Sequence, residues 1–124
     1  MKATCGNHIA DKIIYDAANI ALKALKNKIY AVILYGSYAR GDYSENSDID
    51  IAIIADIDES ETIPTRAKLF GDWDLEIIDT TELIPSITIL NSEMFNSDTE
   101  KYIENIKKEG VVFYEQCGRC SNIC

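Results

Sequence analysis

The sequence predicts an α/β (α+β) domain in which a mixed β-sheet carries helices packed on one side. Three observations support this. Apolar residues recur at helical spacing through 9–28, two β-rich runs at 29–36 and 48–56 flank a polar turn, and a helical pattern at 97–110 leads directly into another β-branched run.

Each element has its own reason. In "IADKIIYDAANIALKALKNK" (9–28), Ile9, Ile13, Ile14, Ala17, Ile20, Ala21 and Leu25 share one helical face. "IYAVILYG" (29–36) is β-branched and aromatic and stops at a glycine, which reads as a buried strand. "YARGDYSENS" (38–47) is a turn, and "DIDIAIIAD" (48–56) is a second strand. An acidic loop with a short helix after Pro64 is expected before Gly71. "WDLEIID" (73–79) alternates as a third strand, whereas 80–96 receives no assignment. "SDTEKYIENIKKEG" (97–110) opens on a capping Ser97 or Asp98 and closes at Gly110, the pattern of a helix. "VVFYE" (111–115) completes the set as a short strand. The expected organisation is one domain over 9–115 and a cysteine-containing tail over 116–124.

Composition narrows the classes of function. A length of 124 residues suffices for one packed core. The net charge of −9 argues against direct contact with nucleic acid, which requires Lys and Arg to replace counterions, and it would steer a basic protein partner. The longest apolar runs are too short to cross a bilayer, so no membrane association is expected. "MKATCGNHIADK" lacks the apolar stretch of a signal peptide, which makes the cytoplasm the expected compartment.

The chemistry concentrates in "GSYARGDYSENSDIDIAII" (36–54). Residues two apart on a strand face the same way, so Asp48 and Asp50 project together while Ile49 and Ile51 face the core. Paired carboxylates repel unless a hard cation lies between them, and Mg²⁺ suits oxygen ligands. Asp74 and Glu76 share a face on the expected third strand, and either can supply another oxygen. Gly36 lets a phosphate approach the backbone closely, and Ser37 adds a hydroxyl. One loop would then hold a triphosphate while the next strand holds its metal.

These residues resemble the GS-x10-DxD signature of the nucleotidyltransferase superfamily that shares the palm of DNA polymerase β. More narrowly, "GSYARG" and "SDID" are similar to the minimal nucleotidyltransferase (MNT) family. The resemblance extends from about Ile9 to Glu115, including the ending "IKKEGVVFYE". It implies a palm-like fold and transfer of AMP from ATP to a tyrosine of a HEPN-domain toxin, for which such proteins serve as antitoxins. Carried onto this chain, it implies that Gly36 and Ser37 bind the triphosphate and that Asp48 and Asp50 bind two Mg²⁺ ions. "LEIID" best matches the third acidic position, which points to Glu76 as metal ligand and helper in deprotonating the acceptor; Asp74 is the alternative. Arg40 can contact phosphate or acceptor, or stand as an ordinary surface arginine.

Other features have simpler readings. Cys5 with His8 and Cys117 with Cys120 have the spacing of a tetrahedral Zn²⁺ site, Cys124 being able to replace His8, although frayed tails with free thiols fit equally simple physics. Tyr35, Tyr38 and Tyr43 beside the glycine turn can stack on a base or serve in packing. Two further functions compete with protein adenylylation: a non-catalytic antitoxin that masks its partner, and a transferase acting on a small molecule. Adjacent like charges argue for chemistry over masking. So short a chain offers no second domain to build a small-molecule pocket. The acceptor, the base preference and the oligomeric state stay open.

Overall fold

The computed structural model describes residues 6–44, 47–76, 85–97 and 100–115, with backbone alone for 73–76, 97 and 102. Helix α1 (His8–Leu25) leads to strand β1 (Ile29–Tyr35), a single-turn helix α2 (Ser37–Arg40) and strand β2 (Ile49–Ala55). Helix α3 (Thr62–Glu76), strand β3 (Pro85–Asn91), helices α4 (Ser92–Ser97) and α5 (Lys101–Glu109), and strand β4 (Val111–Glu115) follow. The four strands lie in the order β3-β2-β1-β4. β1 runs antiparallel to β2 and β4, and β2 runs parallel to β3, so the sheet is mixed as expected.

Helix α1 starts where Asn7 places its side-chain oxygen 3.0 Å from the amides of both Ile9 and Ala10. That bond satisfies donors which a helix start leaves orphaned. Ile13, Ile14, Ala17, Ile20, Ala21 and Leu25 are buried, packing with Val32, Leu34, Ile49, Ile51 and Ile53 from the sheet. Each fully buried isoleucine contributes roughly 1.5–3 kcal/mol of transfer free energy. Ile9, expected inside, is half exposed, and Ala10 takes the inner position.

The helices are not confined to one layer. α1 and α3 cover the face bearing the odd-numbered residues of β2, as the sequence led us to expect. The shorter α4 and α5 cover the other face, where Phe95, Ile103 and Ile106 pack on Ala31, Ile33, Ala52, Ile54 and Leu90. Both faces of β1 and β2 are therefore apolar along most of their length. This matches their near-continuous hydrophobic sequences better than the one-sided alternation of an open sheet.

The expected third strand at 73–79 requires correction. Residues 73–76 continue α3 as helix, and 77–79 lie outside the described residues. The strand beside β2 is β3, in the stretch left without an assignment. "WDLE" alternates apolar and polar over four residues, too few to separate a period of 2 from one of 3.6. α3 is also longer than the short helix expected after Pro64, starting at Thr62 behind a 3₁₀ turn at Glu59–Glu61. Arg66 ties α3 to the sheet through a 2.6 Å bond from its Nε to the Ile87 carbonyl. The helix expected from Ser97 or Asp98 instead begins at Lys101 behind Glu100, with Ser97 closing α4. Among the described residues, no helix is long and apolar enough to cross a membrane.

Candidate active site

The site is built where β1 ends. Gly36 has φ +76° and ψ −155°, a backbone region that disfavours residues bearing a Cβ. It turns the chain out of β1 into α2, and the Gly36 carbonyl accepts from the amides of Ala39 and Arg40 at 3.1 and 3.0 Å. Across the sheet, Tyr35 pairs with Asp50. A Cβ placed on Gly36 would collide with the Asp50 carboxylate. The glycine thus serves two needs: a left-handed φ, and space for a carboxylate against the loop.

Asp48 and Asp50 bracket Ile49, which is fully buried on the α1 side. Asp50 is partly buried and Asp48 is exposed. Burial, then the negative charge of Asp48, hold the Asp50 carboxyl above the usual carboxylate range; Arg40 works in the opposite direction, and Glu109 adds to the rise. A cation that neutralises this pair would relieve both causes.

Tyr35, Gly36, Ser37, Arg40 and Asp50 line an open cavity of about 290 Å³, and Asn105 and Glu109 from α5 complete its lining. The Glu109 carboxylate accepts from the Gly36 amide at 3.0 Å and from Arg40 Nη1 at 3.1 and 3.2 Å. Arg40 also reaches Asp42 through its Nε at 3.2 Å. The Tyr35 hydroxyl lies 3.2 Å from Thr88 Oγ1, and burial raises its pKa above the ordinary phenol value.

Gly36, Ser37, Arg40 and Asp50 are thus brought together around one cavity, and Asp48 acts on Asp50 through its charge. The side chains of Asp74 and Glu76 lie outside the described residues, and the shared strand face that recommended them does not exist, because 74–76 are helical. The residue of β3 opposite Asp50 is Ser86. Among the described residues, no three His, Cys, Asp or Glu side chains group so as to hold a metal ion. Two carboxylates nonetheless fit Mg²⁺, which commonly takes one or two from the protein and completes its shell with substrate phosphates and water. Of the expected Zn²⁺ ligands, His8 is exposed at the start of α1, whereas Cys5, Cys117, Cys120 and Cys124 lie outside the described residues. Tyr38 is buried and stacked on Tyr43 with ring centroids 4.1 Å apart, the packing alternative. Asn105 and Glu109 were not anticipated. They stand one helical turn apart on α5, and nothing in their spacing from the glycine loop announces the meeting.

A glycine turn against a carboxylate on a mixed sheet can hold a nucleotide's phosphates beside a metal ion. The family model for the nucleotidyltransferase domain matches residues 18–115. "Putative protein adenylyltransferase MJ0604" of Methanocaldococcus jannaschii is 34% identical over 105 residues, covering 84% of this chain and 97% of that protein. A crystal structure described as a putative nucleotidyltransferase from Sulfolobus solfataricus superposes with a TM-score of 0.56 at 19% identity, covering 93% of this chain and 91% of that one. A toxin-antitoxin crystal structure with AMP-PNP superposes with a TM-score of 0.53 at 20% identity, covering 82% and 73% of the two chains. The last two are likenesses of fold. The chain belongs to the nucleotidyltransferase domain family and is a nucleotidyltransferase.

Proposed function

We propose that this protein transfers AMP from ATP to a tyrosine hydroxyl of a HEPN-type toxin in a Mg²⁺-dependent reaction, acting as its antitoxin in the cytoplasm. The observation that carries the reading is the close approach of Gly36 to Asp50, which sets the turn out of β1 directly beside a carboxylate of the kind that takes a metal ion. The name of the M. jannaschii relative supports the protein acceptor, and the AMP-PNP complex supports ATP as donor.

Asp48 and Asp50 would hold Mg²⁺, with Glu76 or Asp74 as the third ligand implied by the family resemblance. When bound, the metal supplies neutralisation of charge on the triphosphate. Ser37 and the Gly36 backbone hold phosphate oxygens, and Arg40 adds positive charge on the same side. The acceptor oxygen forms a bond to the α-phosphorus in line with the departing oxygen. The bond to the β-phosphate oxygen breaks, and pyrophosphate leaves. The hydroxyl proton passes to a carboxylate of the site, the role the resemblance gives Glu76. The small cavity suits an acceptor side chain presented by a partner.

The test is incubation with labelled ATP, Mg²⁺ and the HEPN-type partner. Label should appear on the partner and vanish in the Asp48→Asn/Asp50→Asn double variant. Undiminished labelling by that variant overturns the mechanism. Label found on small hydroxyl compounds and absent from protein overturns the acceptor.

A further inference from the structure

The cavity holds an anion of its own. Glu109 places one carboxylate oxygen on the Gly36 amide at 3.0 Å, and both its oxygens on Arg40 Nη1 at 3.1 and 3.2 Å. A backbone amide and a guanidinium converging on oxygen are the donors that a phosphate group takes. Glu109 closes α5 at its C-terminal end, where the helix dipole disfavours negative charge. The charge of Asp50 opposes it further. Against that repulsion, the Gly36 amide and the Arg40 guanidinium hold the carboxylate in place. Arg40 keeps a second carboxylate partner in Asp42, so it need not lose its orientation when Glu109 leaves.

We propose that Glu109 is an internal competitor for the nucleotide's phosphates: it occupies the Gly36 amide and Arg40, and a triphosphate binds there by displacing it. The proposal rests on the nucleotide-binding reading given above and assigns Arg40 as a direct phosphate contact. Removing the charge at 109 should therefore tighten binding of anything carrying the triphosphate and leave the nucleoside alone unaffected.

Calorimetric titration of the whole chain with ATP, inorganic tripolyphosphate and adenosine, in the presence of Mg²⁺, tests it. Glu109→Gln should bind ATP and tripolyphosphate about tenfold more tightly, the factor by which a pose closed in roughly nine-tenths of molecules lowers apparent affinity. Adenosine binding should not change, and adding Arg40→Gln should cancel the gain. Should Glu109→Gln fail to melt cooperatively, Glu109→Asp, whose shorter arm cannot span both donors, must show the same direction. ATP binding that is unchanged or weaker in these variants overturns the competitor and leaves nucleotide binding intact. An equal gain for adenosine also overturns it, because the effect would then lie in cavity shape. Absence of ATP binding by wild type and variants alike removes the nucleotide reading and the competitor with it.

Discussion

The two faces of β2 use one backbone for different ends. Toward α1, Ile49, Ile51 and Ile53 are all fully buried, an unbroken apolar row. Toward α5, the same strand opens with Asp50 and continues as Ala52 and Ile54, both fully buried. Only the entrance of the strand is polar on that side, where β1 turns away at Gly36. The difference shows how a small domain places charge on a rigid element: the carboxylate sits on the first turn of alternation, and the apolar residues behind it anchor the strand from both sides. Chemistry and stability should therefore separate by face.

The strongest way to break that comparison is at the acidic entrance. Asp48→Asn/Asp50→Asn should lower transfer to the partner by about a thousandfold or more, the loss of several kcal/mol of charge stabilisation, with cooperative urea unfolding retained. Collapse of the fold in that variant would mean the two faces are not separable. On the opposite face, Ile51→Ala should cost about 3 kcal/mol in urea unfolding and leave transfer per folded molecule unchanged. Gly36→Ala touches both roles. Its backbone at φ +76° and ψ −155° alone costs about 1–3 kcal/mol in an alanine, and its methyl group meets Asp50, so both stability and labelling should fall.

The smallest effect is a pH dependence that sharpens the picture. Because the folded Asp50 holds its proton more tightly than the unfolded chain does, the native state binds more protons between the ordinary carboxylate range and the raised value. Stability should thus decline as pH rises through that window. Asp50→Asn should flatten the decline and raise the melting temperature slightly above it, as thermal scans across pH would record.

Much of this was legible from local pattern. α1, β1, β2 and β4 follow from periodicity and from the residues that bound the runs: the strands fall within one residue of the expectation, and α1 stops three residues short of Lys28, where a 3₁₀ turn takes over. The meeting of Gly36, Ser37 and Asp50 was legible because a single turn of chain joins β1 to β2, and an antiparallel pair returns to its own start. β3 was not, because "PSITILN" mixes polar residues into a parallel strand, and parallel pairing with β2 depends on a distant connection. Pro85 also obscured it, although a proline is tolerated as the first residue of a strand. Glu109 was hidden for a related reason. It meets Gly36 across 73 residues of sequence, a contact created by β4 lying beside β1.

Gly110 decides how the Glu109 carboxylate can travel. Any Cβ there would run into the Ile106 carbonyl and the Ile33 side chain, so the end of α5 rests directly on β1. Ile103 and Ile106, both essentially without exposure, fasten the same helix to the sheet. Release of Arg40 is therefore a rotation about side-chain bonds over a stationary backbone, which tunes how tightly nucleotide is held without moving helix or sheet.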